Sequence, residues 1–469
     1  MKDHTRNRVL LVLFIGVLMG ALDIAIIGPA LPAIQTDFGL NDRTLGWTIA
    51  IYVLFNLIGT PLMAKLSDLK GRRPVYVWAV SIFALGSLLV AVCPNFAVLL
   101  IGRSVQGFGS GGIFPVAVTI IGETFPAHRR GRTLGLLGAV FGLAFLIGPI
   151  LGGILLMISW RLLFIVNLPI ALLIITMSLR HLPAGTRPQQ RSFDLVGMAL
   201  LAGLLISLAY GLQKLDTAHL GSSLTSARVG PFLLGAGVLL PVFWRIETNT
   251  ADPIFPVRLF RSRQTVLVCV FSVGSGLFQG ALVFVPAFLV AAYGVTSVRA
   301  SFMLVPLVVV LGLAAPVAGW LLDQLGSKRV LMGGACLATV GLGMFGLFGT
   351  DLVYFYMASA TIALGLSSLV GAPLRYIVLN ETPQQDRTAA QGAINVMTQV
   401  GLLVSGVMVA AIADSQGGGA DGYRAAYLFL AVIALGLTCL AFGLKNRKEE
   451  LATLKDNEKS LARQVVPDE

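Results

Sequence analysis

Apolar residues along this chain gather into long runs separated by short polar stretches. Taken in order, the runs predict fourteen helices. They are Val9–Leu31, Leu45–Ala64, Val75–Cys93, Phe96–Gly122, Leu134–Ile158, Leu162–Leu179 and Leu195–Leu212, then Gly230–Trp244, Thr265–Ala292, Ala300–Leu322, Val330–Gly349, Leu352–Ala372, Thr388–Ala413 and Ala425–Leu444. Most have about the 20 residues that carry an α-helix across the hydrocarbon core of a bilayer. The shortest is Gly230–Trp244, and without it every later helix would run the other way.

Composition sharpens this picture. Of 469 residues, 56% are hydrophobic and 12% charged, whereas a soluble domain carries roughly 25% charged residues. An all-α integral membrane protein is expected. The basic segment Met1 to Arg8 resembles the start of a signal peptide, but the apolar run behind it is too long and lacks a small-residue cleavage site, so it reads as an uncleaved first span. Cys93, Cys269, Cys336 and Cys439 lie in apolar runs without a CxxC pair and read as small hydrophobes.

The net charge of +12 does not call for a nucleic acid partner, because the basic residues are distributed by topology. With fourteen spans and the N-terminus inside, the inner segments hold Lys65, Lys70, Arg72, Arg73, Arg129, Arg130, Arg132, Arg180, Arg187 and Arg191. They also hold Arg245, Arg258, Arg261, Arg263, Lys328, Arg329, Arg375 and Arg387. Outside fall Arg43, Arg161, Lys214, Arg228, Arg299 and Arg424. This is the positive-inside pattern, and it places both termini in the cytoplasm. The stretch from Lys445 to Glu469 mixes both signs and reads as a solvated, partly helical cytoplasmic tail.

The chain also repeats. Ala64-x-x-x-Asp68-x-x-Gly71-Arg72-Arg73 follows the second run, and Gly319-x-x-x-Asp323-x-x-Gly326-Ser327-Lys328-Arg329 follows the tenth. Two six-helix bundles are therefore expected, residues 1–180 and 265–444, with a linker at 181–264 that carries two extra transmembrane helices and a tail at 445–469. Parallel six-helix halves around a central site are a transporter plan. The fixed spacing suggests that Asp68, Gly71, Arg72, Arg73, Asp323 and Gly326 latch and release the cytoplasmic ends.

Two charges stand inside the membrane. Asp23 lies about 12 Å below the outer surface and Arg103 about 10 Å below it, counting 1.5 Å per residue from the helix ends. Each is the unmatched charge of its sign at that depth, so the two are expected to pair. Burial opposes ionisation of Asp23 and Arg103 favours it, so water access and helix spacing set its proton affinity. A purely structural ion pair would leave the same sequence trace.

Polar residues form stripes on several helices: Arg103, Gln106 and Ser110; Gln391, Asn395 and Gln399; Tyr52 with Asn56; Ser275 with Gln279. They read either as the lining of a shared substrate cavity or as interhelical hydrogen bonds. Gly107-x-Gly109-x-x-Gly112 fits the dinucleotide fingerprint but lies inside one apolar helix, with no strand before it. Gly148-Pro149-x-x-Gly152-Gly153 reads as a close helix contact with a bend. No HExxH, GxSxG or P-loop occurs, so uphill transport would draw on an ion gradient.

These motifs together resemble the major facilitator superfamily and, within it, the fourteen-helix drug:proton antiporter family. The resemblance runs from about Arg8 to Leu444. Ala64 to Arg73 is similar to the superfamily signature, with Ala64 in place of its first glycine. Arg103 with Gln106-Gly107 resembles the helix-four motif linked to proton coupling, and Gly148 to Gly153 the helix-five exporter motif, with Ala144 replacing an earlier glycine. Leu22-Asp23 through Pro32 resembles the first-helix signature, with Gly28-Pro29 where Asn-Val is usual. Trp160 to Pro169 is similar to the helix-six signature, and Asp194 to Gly197 to the entry of the first extra helix.

The resemblance implies export by alternating access from the membrane of a bacterial cell, driven by entering protons. Lipophilic cationic or neutral amphipathic substrates are expected, with no cofactor and no metal, since relatives that take divalent cations carry a second deep acid. A monomer surrounded by lipid is expected. A lipid or metabolite exporter on the same fold is the nearest alternative; an uptake symporter, a membrane enzyme and a receptor fit less well.

Overall fold

The computed structural model describes residues 3–125, 133, 140, 143–144, 147–183, 194–250, 262–370, 372–382 and 387–453. Among them, thirteen helices are long and apolar enough to cross a membrane. We number the helices α1 (Asp3–Phe38), α2 (Trp47–Lys70), α3 (Arg72–Ala91), α4 (Phe96–Thr124), α5 (Ile147–Leu156), α6 (Leu162–His181) and α7 (Leu195–Lys214). There follow α8 (Gly230–Asn249), α9 (Arg263–Tyr293), α10 (Ser297–Leu325), α11 (Ser327–Phe348), α12 (Leu352–Val370), α13 (Arg387–Ser415) and α14 (Gly419–Leu440).

The expected fifth helix lies partly outside the described residues, and its described part, α5, is a short apolar helix. Glu123, near the end of α4, pairs with Arg72 at the end of the molecule that carries both termini. Trp160, just before α6, donates to Asp37 at the opposite, far end. Glu123 and Trp160 thus stand at opposite ends of the molecule, and the thirteen described spans with the short α5 are consistent with the fourteen expected.

Several expected boundaries move. The first helix was expected to stop at Leu31 but continues to Phe38, carrying Pro29 and Pro32 inside it. Hydropathy marks where the hydrocarbon ends; the backbone hydrogen-bond ladder has no reason to stop there. Likewise α2 runs on past Ala64 to Lys70, and α8 reaches Asn249, which makes it 20 residues long and a full span.

The helices pack in two sets. In the first, α4 lies against both α2 and α3, while α6 packs on α1 and α3. In the second, α9 packs on α13, and α11 on α12 and α14. Helices α7 and α8 pack on each other, and α7 alone of the two also lies against α2 and α13. α8 faces outward along most of its length, with Leu234, Val238 and Leu240 exposed, as a lipid-facing helix should be.

The two sets meet at the far end. Arg43 Nε donates to Asp414 Oδ2 at 2.8 Å, and Asp42 Oδ1 accepts from Tyr423 Oη at 2.9 Å and from Gln35 Nε2 at 2.8 Å. The helices touch closely here: a Cβ on Gly46 would lie 2.6 Å from the Gly406 carbonyl, and one on Gly28 2.8 Å from that of Val283. The molecule is closed at the far end.

The tail is partly helical, as expected, but its described part is less solvated than expected. Residues 447–453 are helical and pinned to the second set. Lys445 Nζ donates to Glu381 at 2.5 Å, Arg447 Nη2 to the Asp323 carbonyl at 2.8 Å, and the buried Glu450 carboxylate accepts from Ser327 N at 3.2 Å. That last contact places an anion on the bare N-terminus of α11, where helix N–H groups need an acceptor.

Candidate functional site

Five helices of the first set converge on Asp23. It sits on α1 with a relative exposure of 0%, and Arg103 of α4 with 1%. Arg103 Nη1 donates to Asp23 Oδ2 at 2.7 Å and to Gln106 Oε1 at 2.6 Å, while Arg103 Nε donates to the Thr48 carbonyl of α2 at 3.2 Å. The expected pair therefore forms, although α1 runs further than the depth argument assumed.

The other carboxylate oxygen is held by amides. Asp23 Oδ1 accepts from Gln106 Nε2 at 2.6 Å and from Asn167 Nδ2 of α6 at 3.4 Å. Both amides also donate to Ser87 Oγ on α3, at 2.8 and 3.3 Å. The Tyr52 ring lies under the guanidinium, 4.1 Å from its carbon, and Phe164 stands 5.9 Å away. A buried ion costs several kcal/mol of desolvation, and it persists only where a partner and further hydrogen bonds compensate it. Here donors meet both oxygens.

Close helix packing makes this geometry possible. A Cβ at Gly107 would lie 2.2 Å from the Tyr52 carbonyl, and one at Gly86 would lie 2.3 Å from the Gln106 backbone nitrogen. The glycine run of α4 thus serves to bring α2 and α3 against the charge pair. Gly148 and Gly152 of α5 face Ala25 and Pro29 of α1, next to Pro149, and Gly153 faces Phe302 of α10.

The residues expected to line a cavity divide into two groups. Tyr52, Gln106 and Ser110 belong to the charge site: Gln106 is fully buried against Asp23, and Tyr52 Oη donates to Ser110 Oγ at 2.8 Å. Asn56 and Gln399 meet across the two sets, Nε2 to Oδ1 at 3.1 Å. Gln279 turns back onto Ser275 of its own helix, while Asn395 is half-buried one turn from Gln399.

The repeated loops share a backbone shape but hold different partners. Gly71 and Gly326 both have positive φ, +96° and +82°, which an L side chain rarely adopts. Arg72 bonds Asp68, Ser67 and Glu123, all within the first set, so it does not tie the two sets together. Arg73 makes no hydrogen bond or ion pair to the described residues, and Asp323 is exposed and engaged through its carbonyl.

Ser87, Asn167, Thr48 and Glu123 were missed as functional candidates. Asn167 stood within a quoted motif, and that was its only signal. Ser87 is one hydroxyl in an apolar run, and nothing local distinguishes it.

Among the described residues, the membrane-crossing helices thus enclose the buried Asp23–Arg103 ion pair. The chain belongs to the Major Facilitator Superfamily, whose profile matches residues 13–315 and 307–467. It is similar to the MFS-type transporter YfiU of Bacillus subtilis, 33% identical over 402 residues, 84% of this chain and 77% of the relative. It is also similar to Multidrug resistance protein 3 of the same organism, 32% identical over 311 residues, 66% of this chain and 60% of the relative. Among solved structures, a D-xylose–proton symporter superposes with a TM-score of 0.68 at 15% identity, over 94% of this chain and 98% of that one. That likeness concerns the fold.

Proposed function

We propose that this protein exports small amphipathic molecules, lipophilic cations or neutral compounds, in exchange for protons by alternating access. The observation that carries the reading is the Asp23–Arg103 pair, a titratable carboxylate sealed inside the bundle with its cationic partner. A carboxylate there exchanges its proton only when water reaches it, so its occupancy follows which end of the molecule is open. Relatives named as multidrug resistance and multidrug transporter proteins support the substrate class.

In this reading residues 1–180 and 265–444 are the two moving bundles, and 181–264 the extra pair. Both termini are cytoplasmic in a bacterial inner membrane, so the far end is the outer one and the described state is closed to the outside. The stripe Gln391, Asn395, Gln399 with Asn56 then faces the inner cleft, and the two repeated loops shape its rim. Arg103 holds the deprotonated Asp23; a proton arriving there releases Arg103 and loosens α1 from α4.

The test uses proteoliposomes with an imposed pH gradient, following ethidium flux for the native protein and Asp23→Asn. Gradient-driven flux that disappears in the variant supports the reading. Flux that persists in Asp23→Asn removes Asp23 from the coupling. No flux in either, with acyl lipids copurifying, moves the substrate to a lipid or endogenous metabolite.

A further inference from the structure

The extra pair α7–α8 touches both bundles at the closed far end. Gln213, almost fully buried on α7, directs Nε2 toward the Arg43 carbonyl at 3.5 Å, beside the Arg43–Asp414 bridge. On the other side Thr217, just beyond α7, shares a hydrogen bond with Ser415 Oγ at 2.5 Å and accepts one from Gln416 Nε2 at 3.3 Å. The segment that presents Thr217 is itself held in shape: Asp216 N donates to Ser223 Oγ at 2.9 Å, and Asp216 Oδ1 accepts from Ala218 N at 2.9 Å.

Opening the far end has to part α2 from α13, whose backbones touch at Gly46 and Gly406. Helix α7 lies against both, so it must let go of one. Its attachment to α13 is made by two side-chain hydrogen bonds, and its attachment to the first bundle by one long bond to a backbone carbonyl. We propose that α7–α8 is a third member of the far-end gate, travelling with the second bundle and releasing the first at Gln213. In the closed state it straddles the seam and holds it shut.

This rests on alternating access alone, and neither proton coupling nor the exported compound enters it. The test is therefore a labelling rate. Ile49, buried against Gly406 in the seam, is replaced by cysteine in the full chain, with Cys93, Cys269, Cys336 and Cys439 changed to serine. Its reaction with a membrane-impermeant maleimide from outside reports far-end opening, measured in an Asp414→Asn background that breaks the bridge to Arg43. Oxidising a Thr217→Cys/Ser415→Cys pair should leave the rate within about twofold of the reduced form. Gln213→Met, which keeps the volume and removes the amide, should raise the rate about fivefold, the effect of one net hydrogen bond. A disulfide that suppresses labelling would overturn the proposal, since the pair would then travel with the first bundle. A Gln213→Met variant that labels at the parent rate would overturn it too, because α7 would hold nothing shut. An Ile49→Cys site that stays unreactive in every variant would remove the gate itself.

Discussion

The two bundles share a loop pattern and are filled with opposite materials. The first encloses an ion pair wrapped in amide and hydroxyl groups. The second encloses aromatic rings: Phe345 lies 4.8 Å from Phe288, 5.6 Å from Phe355 and 4.4 Å from Tyr427, centroid to centroid. The polar end of Tyr427 is satisfied by the Ala281 carbonyl at 3.0 Å. Tilted and edge-on rings of this kind give an apolar core whose stability does not depend on a proton. The first bundle's interior depends instead on its paired charges, because removing or neutralising either one strands its partner. One interior is thus held by charge and the other by ring packing.

That contrast can be broken, and the largest effect should come from Asp23→Asn. The amide keeps the shape but leaves the buried Arg103 without its counter-charge, so the thermal midpoint should fall as well, and in the protein that still folds pH-gradient-driven flux should drop to background. Next is Arg103→Ala, which leaves Asp23 without its cation and should cost about 3–5 kcal/mol. A thermal midpoint in detergent should fall strongly, and the double variant Asp23→Asn/Arg103→Ala should recover part of the loss. Unchanged transport in Arg103→Ala would end the paired-switch idea.

Phe345→Ala tests the ring-packed side. A fully buried phenylalanine cut to alanine should cost about 3–5 kcal/mol, yet the pH dependence of flux in the surviving protein should keep its midpoint. A shifted midpoint would mean that the second bundle also tunes the proton site. The smallest effect should be that of Ser87→Ala, about 1 kcal/mol of stability for a lost hydrogen bond. Because Ser87 steadies both amides on Asp23, its pH midpoint should move while that of Phe345→Ala stays. Ser87→Thr, which retains the hydroxyl, should restore it.

Much of this was legible in the sequence, for physical reasons. A bilayer imposes a length on every span, so the runs announced the helices, and the cost of a lone charge at depth pointed Asp23 to Arg103. Hydropathy could not say where a helix stops once it leaves hydrocarbon, which is why α1 gained the stretch to Phe38. Nor could it separate a polar side chain facing a cleft from one facing a charge, so Gln106 was assigned to the cavity and is found against Asp23. The far-end seam was not legible at all. Asp42 and Tyr423 lie far apart in the chain, and each alone is an ordinary loop or helix-end residue. Their meeting depends on how two bundles tilt, which no local pattern encodes.

The contact between Glu450 and the start of α11 bears on how the chain is made. Ser327 is translated before α12, α13 and α14, and the carboxylate that meets its N–H is translated only after all three. Until then the first turn of α11 waits with a bare end, and the second bundle is an assembly without its fastening. The acceptor that covers the start of α11 is therefore the last of its neighbours to be made, supplied by a residue beyond α14.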